Sequence, residues 1–71
     1  MSSVATWQLQ VGDVIVFADQ LDEVVEVRAP QAVEGALTPL VWTVVVDRTV
    51  HGSTRRTEFW TGKYAMHEVA S

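Results

Sequence analysis

The segment from Leu40 to Trp60 constrains the fold more than any other part of the chain. It begins with a long run rich in β-branched residues that ends at Val50, and it continues through the dipeptide His51-Gly52 into a second run. β-branched and aromatic residues favour strands, and a glycine in a short connection favours a tight turn between antiparallel strands. The pattern therefore predicts a β-hairpin and an all-β fold class.

This hairpin has a register that the sequence predicts. If His51-Gly52 forms the loop, Asp47 lies directly opposite Arg56, and such a charge pair contributes about 0.2–1 kcal/mol. One face then carries Trp42, Val44, Val46, Arg48, Arg55, Thr57 and Phe59, and the other carries Thr43, Val45, Asp47, Thr49, Thr54, Arg56, Glu58 and Trp60. A loop of about four residues would keep the same pairing, and the turn type stays open because histidine is not favoured at the first position of a primed turn.

Other segments also have the composition of strands. The predicted strands are 14–18, 23–29, 40–50, 53–60 and 64–69. We expect an aspartate-rich turn over Asp19–Asp22, and alternation after it that places Val25 and Val27 on one side. Five short strands limit their exposed edges best in a small, bent, mostly antiparallel and partly open barrel.

Length and composition limit how the chain folds and where it works. A domain of 71 residues without cysteine folds on hydrophobic packing, helped by a partner or by self-association. No apolar run is long enough to span a membrane, and Met1 to Thr6 lacks the features of a secretory signal. We therefore expect one domain over residues 1–71 with a cytoplasmic location.

The charges are unevenly distributed along the chain. The net charge of −4 argues against non-specific nucleic-acid binding. Acids dominate from Asp13 to Glu34 and bases from Asp47 to Lys63, so the molecule has either an acidic side and a mildly basic hairpin or ordinary solvated charges.

Neither catalysis nor metal binding has a supporting motif. The two histidines are His51 and His67, and Glu68 beside His67 points to the opposite face of a strand. No nucleophile or phosphate-binding motif is present, and the acidic stretch 19–23 lacks the spacing and the glycine of a calcium loop. We expect no enzyme activity, no cofactor and no metal.

The large aromatic residues divide into a predicted core and a candidate binding surface. Phe17, Trp42 and Phe59 are expected in the core. Trp60 and Tyr64 are either exposed anchors for a partner or buried by the barrel, and these two alternatives stay open. The long irregular segment 29–39 is either a functional loop or a plain crossover between hairpins.

The chain resembles a known group of small proteins. Its opening from Leu9 to Ile15, the motif Trp42-Thr43-Val44 and the closing segment from Tyr64 to Val69 are similar to small SH3-like β-barrel proteins of actinobacteria and their phages. The resemblance implies an SH3-like barrel and a non-enzymatic adaptor, structural or regulatory protein encoded by a phage, located in the host cytoplasm or the virion. It transfers no functional residue to this chain.

Together these observations favour a non-catalytic protein–protein interaction or assembly module, which binds a protein partner or a second copy of itself. The partner-binding candidates are Trp60, Tyr64, Arg48, Arg55 and Arg56. One alternative is a small nucleic-acid-binding regulator that uses the basic 48–63 hairpin and stacks bases on Trp60 or Tyr64. Another is an acidic inhibitor of a host protein that imitates phosphate charge with the acids of 13–34.

Overall fold

The computed structural model of the protein describes residues 2–30 and 41–70, and these residues form a single antiparallel β-sheet. The elements are β1 (Ser2–Ala5), a 3₁₀ turn (Thr6–Gln8), β2 (Val14–Phe17), β3 (Gln20–Arg28), β4 (Trp42–Val50), β5 (Ser53–Thr61) and β6 (Met66–Val69). The strand order in the sheet is β1-β6-β2-β3-β4-β5. The sheet is open, with β1 and β5 at its two edges.

The all-β prediction is confirmed, whereas the predicted number of five strands is wrong. The additional strand is β1, which pairs with β6 from Ser2 opposite Val69 to Ala5 opposite Met66. The segment has two serines and no strong alternation, so its local sequence does not indicate a strand. It becomes a strand because β6, at the other end of the chain, supplies its hydrogen-bonding partner.

The predicted β4–β5 register is confirmed along the whole hairpin. Val50 lies opposite Ser53, and the pairing continues without a shift to Trp42 opposite Thr61. The φ angles of His51 and Gly52 are 50° and 78°. Positive φ at both loop residues is the signature of a type I′ turn, whose twist matches that of the flanking strands.

The first hairpin turns earlier than predicted. Phe17 pairs with Gln20, so Ala18 and Asp19 form the loop instead of Asp19–Asp22. The aspartate at position 22 suggests a turn by its composition, but it lies within β3, paired on one side with Ile15 and on the other with Arg48. The predicted turn was wrong because a cross-strand partner stabilises this aspartate inside the sheet.

A β-bulge interrupts the pairing of β3 with β4. Val24 lies opposite Val46, but the next pair is Glu26 with Val45, so Val25 is the additional residue. A bulge of this kind shifts the alternation by one position. Val24 and Val27 therefore contact the core on either side of this shift. Beyond it, Val25 and Val27 are half-buried whereas Glu26 and Arg28 are exposed, in agreement with the predicted alternation.

The core is small and built from aliphatic side chains. Its buried members are Leu9, Ile15, Val24, Val44, Val46 and Val69, against which Val4, Val27 and Phe59 pack. The expected core position of Phe59 is thus confirmed. Trp42 is only partly buried. Phe17 was wrongly placed in the core: it is 73% exposed, because it lies at the end of β2 beside the turn, beyond the last core residue of that strand.

The sheet bends so that its distant strands approach each other. Phe59 on β5 and His67 on β6 have ring centroids 6.0 Å apart, although these strands are not neighbours in the sheet. Near the same end, the hydroxyl oxygens of Thr6 and Thr61 lie 3.4 Å apart. The bend gives the sheet a concave side that holds the core and a convex side that faces outward. The predicted loop 29–39 lies outside the described residues from position 31 onward.

Candidate interaction surface

Three large aromatic side chains are exposed at the end of the sheet where the 3₁₀ turn lies against the connection between β5 and β6. Trp7, Trp60 and Tyr64 have 49%, 67% and 73% of their surface exposed. We call these three residues, together with Lys63, the aromatic end. Of the two alternatives for Trp60 and Tyr64, the structure supports exposure.

Backbone hydrogen bonds bring the parts of the aromatic end together. The 3₁₀ turn lies against the turn before β6, where the Thr6 N–H donates to the Ala65 carbonyl at 3.0 Å and the Trp7 N–H donates to the Lys63 carbonyl at 3.3 Å. Lys63 Nζ lies 5.3 Å from the centroid of the Tyr64 ring, within the range of a cation–π contact. Trp7 is thereby adjacent to the 60–64 segment, which is distant from it in sequence.

Trp60 projects from the convex side of the sheet. It lies opposite Thr43 on β4, which in turn lies opposite Arg28 on β3. The same side carries Glu26 and Glu58, whose carboxylates lie 2.8 Å and 3.2 Å from the Arg28 guanidinium. Trp60 therefore borders a polar, internally paired surface, and two thirds of its own surface is exposed.

The predicted arginine candidates do not share one face. Arg48 and Arg55 lie opposite each other on the concave side, whereas Arg56 lies on the convex side with Trp60. The structure therefore brings Arg56 and Trp60 to the same side and separates both from Arg48 and Arg55. Tyr64 belongs to the turn before β6.

Carboxylates neutralise two of these three arginines. Arg48 forms two hydrogen bonds to Asp22, at 2.9 Å and 3.0 Å, and this bonding raises the pKa of Arg48. Arg56 donates to Asp47 at 2.5 Å, which likewise raises the pKa of Arg56 and confirms the predicted cross-strand pair. Within the described part of the chain, only Arg55 of the three lacks an acidic partner.

Several acids of the N-terminal half are also engaged. Asp22 is buried at 3% exposure, and Asp13 Oδ2 accepts a hydrogen bond from the Gln10 backbone at 2.8 Å. Glu26 is paired with Arg28. Asp19 and Glu23 remain on the surface, and Glu34 lies outside the described residues. The acids between 13 and 34 therefore do not form one free anionic face.

The two histidines have different environments. His51 is exposed in its loop, with Nε2 3.1 Å from Asp19 Oδ2. His67 faces the core side and lies 2.7 Å from the hydroxyl of the fully buried Thr6, and burial lowers the pKa of His67. Glu68 points the other way, as predicted, and bonds to the Ser3 hydroxyl.

Two structurally important residues were not identified from the sequence. Trp7 belongs to the aromatic end through its contact with Lys63, and Asp22 anchors Arg48 inside the sheet. No local pattern indicates the first contact, since it joins distant segments. The second was hidden as well, because a loop at Ala18 and Asp19 places Asp22 opposite Ile15, whereas its pairing with Arg48 depends on the separate register of β3 and β4.

The described ranges contain no pocket and no group of three or more histidine, cysteine, aspartate or glutamate side chains that could hold a metal ion. Across residues 2–30 and 41–70 there is also no helix of the length and hydropathy needed to cross a membrane. Comparison with family models, curated proteins and solved structures finds no match to this chain.

Proposed function

We propose that this protein is a non-catalytic protein–protein interaction or assembly module that contacts its partner through the aromatic end. The observation that carries the proposal is the distribution of large side chains. Among the described residues, the largest fully buried side chains are Val24, Val44, Val46 and Thr6, whereas Trp7, Trp60 and Tyr64 are exposed. These three rings lie outside the core, which receives only Phe59 among the large aromatic residues.

Exposed aromatic residues at one end of a small domain have a physical consequence. Tryptophan and tyrosine bury a large area for few rotatable bonds, and they are enriched among residues that dominate interface energetics. Lys63 adds a cation next to the rings. The partner that fits this end of the molecule is a protein whose surface has an apolar depression for the rings and an acidic group near it for Lys63.

The pairing of the arginines supports this proposal over nucleic-acid binding. Electrostatic attraction to phosphates requires free cations, but Arg48 and Arg56 are already held by aspartates and the net charge is −4. An inhibitor that imitates phosphate charge is supported less well, because the acids it would use are partly buried or paired.

We infer in addition that the bent sheet is a small, partly open SH3-like barrel. The approach of Phe59 to His67 across the core supports this inference, since it brings β5 and β6 together without hydrogen bonding between them. Membership of a phage-encoded group acting in the host cytoplasm or the virion follows from the resemblance in sequence and is part of the same proposal.

Affinity capture with matched variants tests the interaction surface. A Trp60→Ser, Tyr64→Ser double variant is compared with Phe17→Ser, which removes an equally exposed aromatic ring at the other end of the sheet. We expect the unaltered chain and Phe17→Ser to retain the same defined partner, and the double variant to lose at least about tenfold in affinity, since each interface anchor contributes roughly 1–2 kcal/mol or more.

Circular dichroism and thermal melting establish that all variants are folded. Capture of the partner with unchanged affinity by the double variant would refute the assignment of the aromatic end. Equal losses in the double variant and Phe17→Ser would refute it as well.

A further inference from the structure

The outer edge of β5 is long, and no strand of residues 2–30 or 41–70 pairs with it. β5 spans nine residues and pairs with β4 on one side only. In the described part of the chain, no backbone hydrogen bond reaches its other side. An edge strand of this length presents a row of backbone donors and acceptors that can pair with another strand.

The hairpin register identifies which backbone groups point outward. In a two-residue hairpin, the residues flanking the loop form a hydrogen-bonded pair, and bonded and non-bonded pairs then alternate. Val50 and Ser53 flank the loop here, so every second residue from Ser53 bonds to β4. The groups that point to the free edge belong to Thr54, Arg56, Glu58 and Trp60.

We propose that a second copy of this chain pairs with β5 in antiparallel orientation, with a two-fold axis at Thr57. This inference deepens the proposed assembly function by naming the partner and the edge, and it rests on that proposal. Thr57 then faces the partner's Thr57 in a non-hydrogen-bonded pair. The hydrogen-bonded pairs on either side join Arg56 to the partner's Glu58 and Glu58 to the partner's Arg56.

Charge complementarity selects this register, in which Arg56 and Glu58 each gain a second partner beside the one they already have, Asp47 and Arg28 respectively. A two-fold axis at Arg56 or at Glu58 would place identical charges opposite each other, and an axis at Arg55 would do the same with two arginines. An axis at Phe59 shortens the overlap and forms no charge pair. Among the five axis positions from Arg55 to Phe59, only Thr57 places opposite charges together twice, and like charges directly opposite each other destabilise a sheet.

The same register provides a neighbour for Arg55, which has no acidic partner in the described ranges. On the concave side, Arg55 lies opposite the partner's Phe59, whose ring is only partly buried. A guanidinium beside an aromatic ring is a favourable contact. On the convex side Trp60 lies opposite the partner's Thr54, so its ring stays available at the aromatic end. Both copies of β5 thereby become internal strands of one continuous sheet with an isologous interface, and β1 remains at each outer edge.

A single introduced cysteine tests the axis. The chain has no cysteine of its own, so Thr57→Cys places one thiol next to its symmetry mate. Non-hydrogen-bonded pairs have Cα atoms about 4.5 Å apart, within the range that a disulfide requires. The control is Ser53→Cys, whose symmetry mate would be roughly 27 Å away at about 3.4 Å per residue. We expect rapid disulfide-linked dimers from Thr57→Cys and not from Ser53→Cys under mild oxidation.

A charge reversal tests the edge independently. Glu58→Lys places a cation opposite the partner's Arg56, whereas Glu26→Lys makes the same charge change and removes the same kind of contact to Arg28, but two strands away from the edge. Sedimentation equilibrium should show a reversible dimer for the unaltered chain. The dissociation constant should rise by about tenfold or more for Glu58→Lys, since two charge pairs become two repulsions, and stay nearly unchanged for Glu26→Lys.

The results separate this inference from the proposed function. A chain that stays monomeric up to millimolar concentration overturns the dimer, and so does a dimer in which Thr57→Cys oxidises no faster than Ser53→Cys or in which both glutamate variants dissociate equally. None of these results affects capture of a different protein at the aromatic end, which depends on Trp60 and Tyr64. Loss of capture in the aromatic double variant with an intact dimer likewise separates the two surfaces.

Discussion

Asp22 shows how one buried carboxylate is accommodated in a small sheet. Burying a charge is costly unless a partner compensates for the lost hydration. Arg48 supplies two hydrogen bonds to Asp22, and the amide of Gln20 adds a third at 3.2 Å. Because Asp22 and Arg48 are directly paired residues of β3 and β4, the contact also opposes slippage between these strands.

The substitution Asp22→Asn is expected to destabilise the protein by about 1–3 kcal/mol, the usual loss when a buried charge-assisted bond is broken. The matched substitution Asp47→Asn breaks the more exposed pair with Arg56 and should cost clearly less, because water screens that pair. Chemical denaturation followed by circular dichroism measures both free energies of unfolding. Similar losses for the two variants would show that burial of Asp22 does not govern the strength of its pair.

The two hairpins have loops of equal length but different chemistry. The β4–β5 loop carries a glycine at one of its two positions of positive φ, whereas the β2–β3 loop places Ala18 at a φ of 54°. A side chain with a Cβ is disfavoured in this left-handed region, where glycine is permitted. The glycine makes the second turn recognisable from the sequence, and the lack of one at position 18 hides the first.

Ala18→Gly should therefore raise the free energy of unfolding by about 0.5–1 kcal/mol, since it relieves the strain at positive φ. Ala29→Gly is the control, because Ala29 is exposed and has no positive φ, and there glycine should leave stability unchanged or lower it. Thermal and urea unfolding provide the comparison. A loss of stability in Ala18→Gly would contradict the assignment of strain to this turn.

The whole molecule depends on a small valine-rich core enclosed by the bend of the sheet. Thr6 and His67 lie where the bend brings the N-terminal segment, β5 and β6 together, and their side chains are hydrogen bonded to each other. The Phe59 ring lies beside the imidazole, with the two ring centroids 6.0 Å apart. Because His67 is hydrogen bonded to Thr6 and lies beside Phe59, the protonation state of His67 affects the stability of the bent sheet.

Stability should fall as the pH decreases below the ordinary histidine pKa of 6.5. Burial lowers the pKa of His67 in the folded state, so the unfolded chain takes up the proton first as the pH falls. The contribution is fully present above pH 6.5 and is lost as the pH falls towards the folded pKa. Urea unfolding between pH 7.5 and 5.5 measures this slope, with His67→Gln as the control that should flatten it. A slope that persists in His67→Gln would assign the effect to other groups.

The strands and the β4–β5 register could be read from the chain because they depend on local chemistry. β-branched runs, alternation and the glycine at position 52 act over a few residues, and together they specify Asp47 opposite Arg56. Strand β1, the bulge at Val25 and the exposure of Phe17 could not be read in this way. β1 is a strand only because it pairs with β6, and the bulge is defined only by the pairing of β3 with β4. Phe17 is exposed because the core ends before it.

The aromatic end was also predicted in part from local sequence and decided in part by contacts between distant residues. Trp60 and Tyr64 were identified as candidates by residue type, since large aromatic rings either enlarge a core or anchor a partner. Which of the two applies depends on how the sheet bends, because the bend closes over Val24, Val44 and Val46 and leaves the rings outside. Side-chain type and spacing act locally along the chain, whereas burial is a property of contacts between residues that are distant in sequence.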